Sequence, residues 1–315
     1  MADPQLVRDI ALQLAASATM PPHELADRLG RARSAEYWRS ISPVIQVSAN
    51  APFPHLEVPQ AAEATATRLF EAEGYFELPP LLPPDVLEGL NQVIDAVIAA
   101  GWPSIFALVD DRFWQCGRLP AVRRLLESRL GKGHQQIPHV WIHIVQAVDG
   151  ASGWMPHFDG FASARVSVWL ALTEATTDNG CIYLVPSSVL PDAFRIKDTF
   201  VDLPMPDVLR AMHATRALPV KAGAALGWEF HVFHWGGRAV NPRSQRRALS
   251  MEFLAAAEQP QLDEQPLLDP DGPLPDLAFR LRAIGLALDT YYKREPVQRF
   301  RLLGQRLVEA APTKP

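Results

Sequence analysis

Cysteine is scarce in this 315-residue chain: Cys116 and Cys181 are the only two, and no CxxC pair occurs. Neither a disulfide framework nor a thiolate zinc site is expected. Basic charge is not in excess either. The 30 Lys and Arg stand against 35 Asp and Glu, a formal net charge of -5, which excludes the positive field that a nucleic-acid or anionic-membrane binder needs. The chain has no apolar run of the roughly 18 residues that a membrane span requires, and Met1-Ala-Asp-Pro-Gln lacks the basic start and apolar stretch of a secretion signal. What remains is small-molecule chemistry in a soluble, cytoplasmic protein that engages neither nucleic acid nor membrane.

A hydrophobic content of 48% supports one sizeable core at the upper end of single-domain length. Residues 1–60 read as a helical appendage and linker. Leu6, Ile10, Leu12 and Leu14 form an apolar stripe, Pro21-Pro22 opens a second helix, and four prolines punctuate 42–60. Residues 61–257 read as the core. Gly74 to Leu82 gives a strand ending at Pro-Pro, and apolar positions 86, 87, 90, 93, 94, 97 and 98 give a helix. From Pro138 to about Ala255 short runs rich in Val, Ile, Trp and Phe predict strands near 139–147, 165–172, 181–185, 217–220, 224–234 and 246–255. The fold class expected is mainly β with flanking helices, a double-stranded β-helix of jelly-roll, cupin-like form with helical N- and C-terminal appendages. Residues 258–315 read as a Pro-rich connection followed by helix. Leu277, Leu281, Ile284, Leu288, Tyr291 and Tyr292 make its buried face, with Arg280, Arg282, Lys293 and Arg294 toward water. The helical ends are candidates for a lid or a homodimer contact.

Chemistry concentrates at Pro156-His157-Phe158-Asp159. In an extended chain residues i and i+2 point to the same side, so His157 and Asp159 face one point. A second histidine from another strand completes a two-histidine, one-carboxylate set that leaves positions open on iron(II). His231 and His234 are the nearby choices, and being three apart on a strand they face opposite sides, so one of them serves.

The chain resembles the phytanoyl-CoA dioxygenase (PhyH) family of iron(II)/2-oxoglutarate oxygenases over roughly residues 70–255. The resemblance lies in the Gly74 to Leu87 opening, in His157-Phe-Asp159, in Val166-Ser-Val-Trp-Leu-Ala-Leu-Thr, in Asp178-Asn-Gly-Cys-Ile-Tyr-Leu-Val-Pro, and in the Gly223 to His234 spacing. It implies His157, Asp159 and His234 as metal ligands, with Fe(II), 2-oxoglutarate and O2 as cofactors. It also implies an arginine near Arg246-Arg-Ala-Leu-Ser for the distal carboxylate of 2-oxoglutarate, which a guanidinium fork suits. Arg246 shares its face with Ala248 and Ser250, as a lumen position would, and is preferred over Arg247, whose face carries Leu249, Met251 and Phe253. Trp169 lines the cosubstrate pocket or packs the core; His143 and Gln146 reach 2-oxoglutarate or substrate, or His143 is a satisfied core histidine. The implied reaction is hydroxylation of an aliphatic C–H in a small acid, amino-acid-like or natural-product substrate, releasing succinate and CO2. Asp159 stands where related halogenases carry Gly or Ala. Desaturation, epoxidation or cyclisation would use the same residues. Two rivals stay open, a cupin-like iron oxygenase without 2-oxoglutarate and a non-catalytic metal- or 2-oxoglutarate-binding jelly roll.

The sequence departs from the family pattern at Pro186-Ser-Ser-Val189, at Gly223-Ala224 and in the longer loop after His234, all on the substrate side. Arg165, Trp235, Arg238 and Arg243 are the candidate substrate residues there, the arginines as carboxylate or phosphate partners and Trp235, with Trp154 and Trp228, as an aromatic entrance.

Overall fold

The computed structural model describes residues 20–49, 51–160, 164–189, 204–261, 264–291 and 297–309. It divides into two compact units, one of residues 1–50, 93–111 and 275–315, the other of residues 51–92 and 112–274. The expected boundaries at 60 and 257 fall inside the second unit. Residues on the outer side of each are tied to it by backbone hydrogen bonds: Leu56 N to Leu81 O, 2.8 Å, and an antiparallel bridge between Gln136 and Leu268.

Within the first unit, helices Pro22–Ala32, Ala35–Ile41, Leu277–Tyr291 and Arg301–Glu309 accompany the 3-10 turns Ser104–Val109. Trp38, Trp102 and Phe106 stack at its centre, with ring centroids 4.5–5.9 Å apart. Helices Leu277–Tyr291 and Arg301–Glu309 touch through Gly285 and Gly304, where a Cβ on Gly285 would sit 2.5 Å from the Gly304 carbonyl. One expectation fails here. Arg280 does not face water but is 1% exposed, its Nη1 donating to Val109 O at 2.7 Å and to Asp111 Oδ1 at 2.5 Å. The Asp111 carboxylate also accepts from the Ser48 and Ala49 amides, and such a carboxylate is stable in a core only when a cation shares it. Tyr292, Lys293, Arg294 and residues 4–19 lie outside the described residues.

The second unit carries two antiparallel sheets. The strands are β1 Tyr75–Leu78, β2 Gln135–Val145, β3 Arg165–Ala171, β4 Ile182–Val185, β5 Arg216–Leu218, β6 Ala225–Glu229, β7 Phe233–Gly236 and β8 Arg246–Leu254. One sheet runs β1-β6-β3-β8-β2 and the other β5-β4-β7. The sheets face each other across a shared cluster, with Trp169, Leu226, Trp228 and Ala248 from the first against Ile182, Leu184 and Leu218 from the second. Alternation sets this: β3 is buried throughout, and alternate residues of β8 share one face, from which Ala248 enters the shared cluster. The expected single strand 224–234 is two strands, because the turn at Phe230 to Val232, closed by Val232 N to Glu229 O at 2.8 Å, carries the chain from one sheet to the other. Helices Gln60–Glu73, Pro120–Leu130 and Met205–Ala214 were not legible in the sequence. Among the described residues no helix is long and apolar enough to cross a membrane.

Candidate metal centre

His157, Asp159 and His234 converge, each offering one ligand atom within 4.8 Å of the others. Asp159 Oδ1 lies 3.4 Å from His157 Nε2 and 3.6 Å from His234 Nε2. The convergence is built by backbone. His157 and His234 are paired in an antiparallel bridge, and each amide donates to the other's carbonyl at 3.0 Å. The turn between β6 and β7 holds the third ligand, since the Asp159 and Gly160 amides both donate to Phe230 O. Phe158, between the two ligands, points the other way and packs on Phe233.

The nitrogens that face away from the centre are fixed as well. His157 Nδ1 donates to Met155 O at 2.7 Å and His234 Nδ1 to Val232 O at 3.0 Å, which leaves both Nε2 lone pairs aimed at Asp159 Oδ1. The other carboxylate oxygen, Oδ2, accepts from the Ser167 hydroxyl at 2.6 Å and from the Trp228 indole at 2.9 Å. Asp159 therefore presents a single free oxygen. Burial raises its pKa, but the facing His234 and His157 and the Ser167 hydroxyl outweigh that and hold it below the usual carboxylate range. Burial pushes His234 down to about 4 against the pull of Asp159. A deprotonated carboxylate and a neutral imidazole are the forms that bind a divalent metal.

Arg246 is 1% exposed, and its guanidinium carbon lies 5.4 Å from the Trp169 ring centroid. Gly153 and Gly236 make room for it: a Cβ on either would come 2.8 or 3.3 Å from Arg246 Nη2, and one on Gly236 would press on Gly153 Cα at 2.7 Å. Arg247 turns to the opposite face, where Nη1 donates to Asn91 O at 3.2 Å. His143 shares the Arg246 side. Its Nε2 is 3.0 Å from Ser250 Oγ, its ring meets the edge of Trp154, and Trp154 in turn packs 5.7 Å from His157. Burial, followed by the charges of Arg246 and His157, pushes His143 down to about 3, so it is a neutral hydrogen-bonding group.

The remaining candidates are spread out. Gln146 lies exposed just beyond the end of β2, and Arg238 and Arg243 are exposed. Trp235 stacks on Tyr183 on the face of β7 opposite to His234. Arg165 is 4% exposed and holds Glu264 through both guanidinium nitrogens, one of the contacts at 2.9 Å. His231 lies 2.9 Å from Glu229 rather than at the centre. Two functional groups escaped the sequence reading, the Ser167 and Trp228 donors to Asp159. Trp228 was legible as an aromatic near the motifs but not as a hydrogen-bond donor.

Residues 107–248 match the family model for phytanoyl-CoA dioxygenase (PhyH). A search of curated proteins finds no match. Among solved structures, the non-heme alpha ketoglutarate dependent epimerase SnoN from nogalamycin biosynthesis is similar at 18% identity and TM-score 0.52, over 63% of this chain and 85% of that one. SnoN in complex with Fe3+, alpha ketoglutarate and nogalamycin RO matches over the same shares at TM-score 0.50. The non-heme monooxygenase ThoJ in its apo form aligns at 18% identity and TM-score 0.53, over 78% of this chain and 99% of the other. At such identity these likenesses speak to the fold. The segment that matches the family model holds both histidines, the aspartate and Arg246.

Proposed function

We propose that the protein is an iron(II)- and 2-oxoglutarate-dependent oxygenase that hydroxylates an aliphatic C–H of a small substrate, with its two facing sheets forming a jelly-roll barrel around the metal. The observation that carries this reading is the ligand set itself, two Nε2 atoms and one carboxylate oxygen with every other polar atom of the three side chains already bound to protein. Three protein ligands leave open positions on an octahedral ion, the arrangement that non-haem iron oxygenases use. SnoN, which shares the fold, binds Fe3+ and alpha ketoglutarate.

When bound, iron(II) with 2-oxoglutarate and O2 supplies the oxidation, splitting the 2-oxo acid to succinate and CO2. The chain does the rest. Arg246 receives the distal carboxylate of 2-oxoglutarate, where a buried guanidinium makes two charge-assisted bonds, and Trp169 fixes its plane from above. Ser167 and Trp228 keep Asp159 from rotating into a second bond to the metal. His143, neutral and tethered to Ser250, borders the cosubstrate. Asp159 also occupies the ligand position that a halide would need, which favours hydroxylation over halogenation.

Anaerobic titration with iron(II) and 2-oxoglutarate tests the reading through the visible metal-to-ligand charge-transfer band, followed by succinate release on admitting oxygen. The band is expected in the wild type, absent in His157→Ala and weakened in Arg246→Met. A fully iron-loaded protein that shows no band would sink the 2-oxoglutarate assignment.

A further inference from the structure

β8 carries more than Arg246 on its inner face. Alternation puts Arg246, Ala248, Ser250 and Glu252 on one side, and cross-strand register puts Glu252 opposite Ser167 and Ser250 opposite Trp169. Ser167 is the residue whose hydroxyl holds Asp159. Glu252 therefore lies beside the carboxylate ligand, toward the end of β8 remote from Arg246. Two residues on a strand span about 7 Å, so the strand runs from the cosubstrate end past the metal to a second polar position.

That position borders open space. The side chains of Glu252 and His139 keep 18% and 11% exposure, comparable to the 17% of His157 and 13% of Asp159, whereas Trp169 and Ala248 on the same face are 2% and 0% exposed. His139 Nδ1 approaches Glu252 Oε2 at 3.9 Å, beyond hydrogen-bond length, and among the described residues the Glu252 carboxylate accepts no hydrogen bond. A carboxyl group so placed is costly unless a partner arrives. The nearby cation is not available as that partner, because Arg165 is committed to Glu264 on two nitrogens and has Glu258 at 3.9 Å from its Nε.

We propose that Glu252, with His139 beside it, is a specificity-determining residue of this site and receives a protonated amine of the substrate. This rests on the oxygenase reading above and adds the substrate's class to it. The ammonium group docks at Glu252 and orients the adjoining carbon skeleton over the metal, on the side away from 2-oxoglutarate. Electrostatics agrees. Burial pushes the Glu252 carboxyl well above the usual range, the Asp159 and Glu264 carboxylates push it the same way, and Arg165 opposes.

The test is affinity selection with the iron(II)- and 2-oxoglutarate-loaded protein under anaerobic conditions. The probe is a defined compound set in which every carbon skeleton is present as the amine, the alcohol and the carboxylic acid. Compounds retained are read by mass spectrometry. Retention of amines over their matched alcohols and acids is expected, with retention falling about tenfold or more in Glu252→Gln, an isosteric change that leaves iron and 2-oxoglutarate binding intact. Retention of acids or alcohols over amines, no retention of any compound, or an unchanged set in Glu252→Gln would overturn the assignment. The iron and 2-oxoglutarate load is measured before the compounds are added, so a failure of the oxygenase reading shows itself as an unloaded protein.

Discussion

Removing the Ser167 hydroxyl isolates what holds Asp159 in place. In Ser167→Ala the 2.6 Å bond to Oδ2 disappears while the Trp228 bond at 2.9 Å remains. A hydrogen bond to a charged acceptor is worth about 1.5–3 kcal/mol, and about 1.4 kcal/mol is a factor of ten. Iron(II) affinity is therefore expected to fall by roughly 10- to 100-fold, the range typical of groups that orient metal ligands. A second signature follows from charge. The Ser167 hydroxyl is one of the groups that hold the Asp159 pKa down, so its loss lets burial raise that pKa and shifts the acid limb of metal binding to higher pH. Trp228→Phe is the companion variant, because it keeps an aromatic ring against His234, 4.4 Å away in the wild type, and deletes only the donor. Anaerobic calorimetric titration with iron(II), repeated at stepped pH, reads both effects. Wild-type affinity and an unmoved acid limb in both single variants and in the double variant would refute the claim that these donors matter to the metal.

Arg246→Met is expected to weaken 2-oxoglutarate binding by about 100-fold or more, two charge-assisted bonds being lost, with iron affinity unchanged in the same titration. Arg280→Met leaves the Asp111 carboxylate buried without its cation and should cost about 3–5 kcal/mol, read by urea denaturation followed through tryptophan fluorescence. Acid should destabilise the metal-free protein in a defined window. His234 is held down to about 4 in the fold from 6.5, so between those pH values the unfolded chain takes the proton first and stability falls as pH drops, by about 3 kcal/mol for this group. Denaturation midpoints at stepped pH should show that slope, and His234→Gln should flatten it.

The legible and illegible parts of this site differ in range. His157 and Asp159 were visible because strand alternation is a local rule, and the same rule put Arg246 on a face with Ala248 and Ser250 and apart from Arg247. Ser167 and Trp228 act through register between β3 and β6, where they are directly opposed. No spacing within the sequence fixes that pairing. Arg280 misled because a helical arginine reads as surface, and its burial depends on a carboxylate 169 residues away. Helices Pro120–Leu130 and Met205–Ala214 have ordinary composition and short length, so their periodicity carried little weight against the surrounding strand-like texture.

The reciprocal amide–carbonyl pair between His157 and His234 has a consequence for metal selection. Two of the three ligands are clamped to each other by main chain, so a chelator is expected to strip the metal while leaving the sheets intact. A cradle that rigid cannot discriminate by collapsing around a preferred ion. Two imidazoles and a carboxylate bind nickel, copper or zinc at least as tightly as iron(II). The donor set alone therefore does not select iron(II), and preparations grown or purified under different metals are expected to differ in metal content, read by elemental analysis.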